Sequence, residues 1–168
     1  MTVLKRLLLS LVGVALLLVM MPTPVWAQAN QYPLPLSFSN AELRGRDFRG
    51  WEIRAAEFSN ANLSEADFTG ADARGAIFSA SVARATNFHG VDFSTGMLDM
   101  TDFSRADLSD AILVDTIMLR STFEDVNITG ADFSGAMLDR AQVRDLCAIA
   151  SGTNPVTGIE TRESLGCQ

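Results

Sequence analysis

Every fifth residue of the chain from Phe38 to Val143 is apolar, and this register holds without a slip over 22 positions. All ten phenylalanines belong to the series. A period of five matches neither a helix, which repeats every 3.6 residues, nor a strand, which repeats every two. We call these residues the repeat centres: Phe38, Leu43, Phe48, Ile53, Phe58, Leu63, Phe68, Ala73, Phe78, Ala83, Phe88, Phe93, Leu98, Phe103, Leu108, Leu113, Met118, Phe123, Ile128, Phe133, Leu138 and Val143.

The residues around each centre indicate a coil made of short straight segments joined by turns. A small residue usually stands two positions before the centre, as Ala66 does before Phe68. An Asp or Asn often stands one position before it, as Asp67 does. Such a unit points one large and one small side chain inward, and its polar residues suit turns.

Stretches such as ANLSEADFTGADARGAIF and TDFSRADLSDAIL resemble the pentapeptide-repeat proteins, whose unit reads A(D/N)LXX. The resemblance covers about residues 36 to 145. It implies an all-β fold, a right-handed quadrilateral β-helix with four pentapeptides per turn. The 22 centres would then make about 5.5 coils, with the β-helix at 37–145.

Some repeats depart from the pattern. Arg46 and Trp51 occupy positions where a small inward residue is expected, which we interpret as a modified first coil, preceded by a linker or cap at 28–36. Ala73 and Ala83 are small for centres, and we expect neighbouring phenylalanines to offset them.

The first residues are typical of a secretory signal. Lys5 and Arg6 precede an apolar run at 7–21, and small residues follow, with cleavage expected after Ala27 or Ala29. The alternative is an uncleaved membrane anchor, but the run is shorter than the roughly 20 residues that a spanning helix needs. We therefore assign 1–27 as a signal peptide, and expect an exported protein that is not held in a membrane after cleavage.

The C-terminal region, 146–168, is predicted to be a cap. The segment from Asp139 to Ala150 favours a short helix. Cys147 and Cys167 are the only cysteines, and export would place them where disulfides persist. A bridge between them would close a loop worth roughly 3 kcal/mol in the loop-entropy model. The alternative is a pair of reactive thiols, which no CxxC spacing or neighbouring histidine supports.

The segment LCAIASGTNPVTGIETRESLGC carries a finer resemblance, to the tails of lumenal pentapeptide-repeat proteins of cyanobacteria and chloroplasts. That resemblance implies the thylakoid lumen, with the bacterial periplasm as the wider alternative.

Composition excludes several kinds of chemistry. Without residues 1–27, which hold Lys5 and Arg6, the 13 basic residues fall to 11 against 20 acidic ones, a net charge of −9. No lysine then remains for a Schiff base, and one histidine with two cysteines cannot build a multi-histidine or four-cysteine metal site. The acidic balance argues against nucleic-acid binding. We expect no metal and no cofactor.

Catalysis is not predicted either. The one histidine, His89, should face solvent, and no serine stands in a nucleophile elbow. Carboxylates 20 residues apart, such as Asp72 and Asp92, should stack on a convex wall without a cleft. We therefore interpret the protein as a non-catalytic structural or protein-interaction module. The alternative is a DNA-mimicking regulator of an enzyme such as gyrase, as some family members are, which the export signal disfavours.

One column departs from the usual polar character of the position before each centre. It reads Ile77, Met97, Ile117 and Met137, with Met100 and Leu119 beside it. About 400 Å² of apolar surface there approaches the largest patch of a typical monomer. We expect a docking surface for an unknown protein partner or a weak homodimer. The alternative is that the chain's own tail or its N-terminal segment covers the column.

Overall fold

A computed structural model describes residues 35–168. The expected signal peptide, its cleavage after Ala27 or Ala29, and the linker as far as residue 34 lie outside the described residues. Among residues 35–168, no helix has the length and apolar character needed to cross a bilayer.

Residues 37–137 form a β-helix with four pentapeptides per turn. Parallel bridges join residues that are 20 apart, beginning with Ser37 and Glu57 and ending with Ile117 and Met137. Each bridging residue directly precedes a centre, and its segment is too short to count as an extended strand. Main-chain hydrogen bonds join neighbouring coils; for example, Phe88 N–H donates to Asp107 O at 2.7 Å. The four straight segments of a coil therefore contribute to four flat walls.

Tight turns at the corners separate the walls. The carbonyl of a centre accepts the N–H three residues later, as Phe58 O does from Ala61 N at 3.0 Å. The second residue after every centre from Phe38 to Phe133 has a positive φ, as the third residue of a type II turn requires. Gly96 has no positive φ, but the space around it is limited, because a Cβ there would lie 2.8 Å from the carbonyl oxygen of Phe93.

Stacked phenylalanine rings fill the interior. The ring centroids of Phe48 and Phe68 lie 4.6 Å apart, and those of Phe68 and Phe88 lie 5.2 Å apart, both pairs stacked. Phe78 and Phe93 meet edge to face at 5.2 Å. Phe78 and Phe93 are the neighbours expected to offset the small centres Ala73 and Ala83, which are both fully buried.

The side chains of Arg46 and Trp51, at positions where a small inward residue is expected, do not enter the interior. Both residues are exposed, and the Trp51 ring meets the edge of Phe48 at 5.1 Å. Both lie in the first coil of the described residues, where even Ala41 at the equivalent position is only half-buried, whereas Ala61 one coil later is fully buried.

A helix ends the repeat. Helix α1 spans Arg140–Ile149, and the carboxylate of its N-cap, Asp139, accepts the N–H groups of Ala141 and Gln142. The Gln142 side chain accepts the Asp139 N–H in return. The predicted boundary at 145 is therefore too late, because this capping box starts the helix before Val143, which lies on α1 rather than in a coil.

The rest of the tail packs back on the last coils. A second short helix, α2, spans Thr161–Ser164, and an antiparallel bridge joins Thr153 to Glu160. The buried amide of Asn154 donates to Asp110 O at 3.1 Å and to Gly130 O at 2.9 Å. Main-chain carbonyls at the end of the β-helix are thus paired with the tail.

Gln142 extends this pairing, since its amide donates to Met118 O at 2.9 Å and Ser121 O at 2.8 Å. The predicted disulfide is present: Cys147 and Cys167 are joined, with their Cα atoms 5.6 Å apart. Their pairing leaves no free cysteine among the described residues.

We predict that Phe88→Ala lowers the free energy of unfolding by about 3–5 kcal/mol. Phe88 is fully buried and contacts phenylalanines in the coils on both sides of it, so truncation leaves a cavity that stacked coils cannot close. Chemical denaturation measures the loss, with Phe88→Leu as a milder control. A loss below about 1 kcal/mol for the alanine variant would contradict the stacked core.

Reduction of the Cys147–Cys167 disulfide should loosen the tail and leave the central coils protected. Solenoid stability is mainly a sum of contacts between neighbouring repeats, so the coils do not depend on the bridge. Hydrogen exchange before and after reduction measures the protection of main-chain amides in the tail, at 147–167, and in the central coils, at 57–117. Loss of protection throughout the central coils would contradict the prediction.

Candidate interaction surface

One wall of the β-helix carries a continuous apolar column. Successive bridges join Ile77 to Met97, Met97 to Ile117, and Ile117 to Met137, so these side chains lie one above another. Met97 is 41% exposed and Met137 is 53% exposed, whereas the two isoleucines are half-buried. Coils stack at the spacing of paired strands, about 4.8 Å, so the column is about 14 Å long.

Met100 and Leu119 widen this column at the adjoining corner. The Met100 N–H donates to Leu119 O at 3.0 Å, and both side chains are exposed. We call the column and these two neighbours together the apolar stripe. Sequence analysis missed the charged residues beside it, Asp99 and Arg120, although their positions one and two residues after a centre put them at the same corner.

The described tail does not cover the apolar stripe. Asn154 reaches Asp110, which belongs to a different corner. The Gln142 amide of α1 donates to the carbonyls of Met118 and Ser121 at the stripe's own corner, yet Met97, Met100, Leu119 and Met137 stay exposed. The N-terminal segment, the other part of the chain that could cover the stripe, lies outside the described residues as far as residue 34.

The apolar residues occupy a position that elsewhere stabilises a turn. On the other walls, an Asp or Asn before the centre accepts the N–H of the residue after the centre. Asp92 accepts the Ser94 N–H at 2.9 Å in this way, and Asp67 accepts the Thr69 N–H at 2.9 Å. An Ile or Met side chain cannot accept such a bond. The sequence therefore forgoes this contact in four consecutive coils of one wall.

Carboxylates dominate the other walls, where arginines pair with them. Hydrogen bonds from the Arg74 guanidinium hold the pKa of Asp72 well below its usual range, against the effect of burial and with help from Arg54. Burial alone would raise the pKa of Asp102. Hydrogen bonds from Ser104, Arg84 and Thr122 outweigh it and lower that pKa to about 2.

One carboxylate is less exposed than the sequence suggests. Asp132 was expected on an exposed column but is 1% exposed, because the tail packs over it. Burial would raise the pKa of Asp132, but hydrogen bonds from Ser134 and from Thr157 of the tail outweigh burial and lower it.

A serine, a histidine and an aspartate do meet on one corner, without forming a relay. His89 Nδ1 lies 3.0 Å from Ser109 Oγ and 3.9 Å from Asp110 Oδ2. A catalytic triad needs the serine and the carboxylate on opposite ring nitrogens. Here both contacts fall on one nitrogen, so the carboxylate cannot orient the ring for proton transfer from the serine.

A cavity of about 610 Å³ lies beside the disulfide, lined in part by Leu138, Val143 and Arg144. The two unpaired buried hydroxyls of the described residues, on Ser81 and Thr161, do not line it. No group of His, Cys, Asp or Glu side chains within 35–168 is arranged to hold a metal ion.

The chain matches the family model for pentapeptide repeats over residues 37–70, 61–95 and 101–143. Among curated proteins, it is similar to thylakoid lumenal protein TL20.3 of Arabidopsis thaliana, with 55% identity over 31 residues. That match spans 18% of this chain and 11% of the relative, so the chain covers only a small part of that protein.

The fold is similar to that of a solved pentapeptide repeat protein from the Arabidopsis thaliana thylakoid lumen. The TM-score is 0.77 at 30% identity, covering 78% of this chain and 91% of the other. QnrB1, a plasmid-mediated fluoroquinolone resistance protein, matches at a TM-score of 0.37 and 18% identity over 67% of this chain and 83% of its own. That second likeness is too distant to bear on function.

We predict that Asp102→Asn destabilises the protein by about 2 kcal/mol at pH 7 and by almost nothing near pH 2. The pKa of Asp102 falls from 3.8 to about 2 on folding. The ionised carboxylate therefore stabilises the folded protein fully at pH values above 3.8, and this stabilisation is lost as the pH falls through the folded-state pKa. Denaturation of both proteins between pH 7 and pH 2 measures the difference. Asp125→Asn, at an exposed corner, is the control; a difference independent of pH would refute the assignment.

Proposed function

The chain belongs to the pentapeptide repeat family, and on that premise we propose that it is a non-catalytic, exported protein-interaction module of the thylakoid lumen. The apolar stripe is the observation that carries this proposal. Large apolar residues lie exposed there, on the wall where the repeat gives up its usual turn contacts.

The shape of the β-helix supports an interaction role rather than catalysis. The repeat centres fill the interior, so no cleft opens between the walls to enclose a substrate and exclude water. What the fold offers to another molecule is flat surface, and the apolar stripe is its most apolar flat part.

The energetics favour a reversible contact. Burying about 400 Å² of apolar surface contributes about 10 kcal/mol before costs. Association costs about 4–15 kcal/mol in lost freedom of motion. The stripe alone thus supports a weak complex, and tighter binding would need polar contacts around it.

The lumen is proposed on the strength of two relatives. Both the curated relative and the solved structure are thylakoid lumenal proteins. Export followed by cleavage after Ala27 or Ala29 would deliver this chain there, and the periplasm remains the wider alternative. The Cys147–Cys167 bridge suits either compartment, because both permit disulfides.

A photoreactive residue placed at Met97 tests the interaction role in the native compartment. We expect it to form protein adducts on irradiation, whereas the same residue at Val82 should form few. Val82 is the matched control because it also precedes a centre and is 39% exposed, but lies on another wall. Absence of adducts from Met97, or equal adducts from both positions, would contradict the proposal.

A further inference from the structure

We propose that the apolar stripe binds the apolar stripe of a second copy of this chain, in an antiparallel symmetric dimer. This inference rests on the proposed function, because it names the partner for the same surface. Its support is the charge on the four walls, the order of residues along the stripe, and the area of the stripe.

Charge leaves one wall available for self-association. Each of the other three walls carries carboxylates at the bridging position, for example Asp102, Asp107 and Asp92. Two copies meeting through such a wall would bring like charges face to face, which destabilises a complex. From Ile77 to Met137 the bridging position of the stripe wall carries no carboxylate.

The order of residues suits a twofold axis that lies in the interface, perpendicular to the helix axis and midway between the coils of Met97 and Ile117. Such an axis places Met97 opposite Ile117 of the second copy, and Ile77 opposite Met137. Apolar residues therefore meet over the whole column, as an isologous interface requires.

The same axis pairs the charges at the corner. Asp99 and Arg120 lie one coil apart, at neighbouring positions after their centres. Neither forms an ion pair with another residue of 35–168. In the antiparallel arrangement, Asp99 of each copy lies beside Arg120 of the other, so two opposite-charge contacts flank the apolar column.

The area of the interface determines the dimer affinity that we expect. With about 400 Å² of apolar surface on each copy and a rim of corner residues, the interface stays near or below the roughly 1,200 Å² total that stable complexes exceed. We therefore expect a dimer that forms reversibly in the micromolar range.

Sedimentation equilibrium from about 1 to 500 μM, on protein expressed from its full coding sequence in a host that exports it, tests the inference. We expect a concentration-dependent monomer–dimer equilibrium for the wild type. Met97→Asp combined with Ile117→Asp should raise the dissociation constant at least about tenfold, because it buries charges in the interface core. The repeat accepts Asp at this position on other walls, so the variant should remain folded, as circular dichroism will show.

Val82→Asp combined with Ile112→Asp is the matched control. It adds the same charges at the same repeat position on two other walls, and should leave the dimer unchanged. Asp99→Arg and Arg120→Asp should each weaken dimerisation about threefold or more, and the two together should restore it. Failure of the double reversal to restore dimerisation would overturn the antiparallel arrangement.

A wild type that stays monomeric at every concentration would overturn the dimer. If Met97 then still crosslinked to a different protein, the interaction role would stand with another partner. If Met97 formed no protein adduct either, both proposals would fall. Equal dimerisation by the stripe variant and the wild type would also overturn the inference.

Discussion

The stacking of one coil on the next, 20 residues later in the chain, is the constraint on which the rest of the structure depends. It pairs the main chain of each straight segment with the segments above and below it. It also places each repeat centre directly over another, so that Phe48, Phe68 and Phe88 stack ring on ring. Because each coil contacts only its neighbours, a local departure such as the small centre Ala73 need not disturb distant coils.

The last coil of the β-helix has no following coil, so the C-terminal tail must cover its open end. Main-chain carbonyls of the last coils have no further coil to bind. The Ser121 carbonyl is one of them, and the Gln142 amide of α1 donates to it, while the Asn154 amide of the tail donates to Gly130 O. The disulfide ties α1 to the last residues of the chain, and so holds both parts of this cap together. The cap thus combines specific hydrogen bonds with a continuation of the apolar core, since Leu146, Ala150 and Leu165 belong to the same buried cluster as the repeat centres.

The period of five predicted a coil of short straight segments joined by turns, and the resemblance to pentapeptide-repeat proteins supplied the β-helix with four units per turn. Together they predicted the alignment of Ile77, Met97, Ile117 and Met137, because four units of five residues per turn stack residues that are 20 apart. Arg46 and Trp51 depart from the pattern in the first coil, and both are exposed there. The pattern set the end of the repeat too late, because Asp139 and Gln142 form a capping box whose local hydrogen bonds outweigh one more apolar repeat at Val143. The contact of His89 with Ser109 and Asp110 depends on corner geometry that a register does not specify.

The position before each centre is where this fold has freedom to acquire a function. The centre and the small residue must fit the interior, and the corner residue must accept a positive φ. The position before the centre faces outward, so it is limited only by what helps the turn. Asp and Asn help it most directly, by accepting an N–H bond two residues on. An apolar residue there loses that bond and gains nothing from the core. We propose that four such losses in consecutive coils of one wall, ending at Met137, reflect a contact made outside the β-helix, at the exposed side chains of Met97 and Met137.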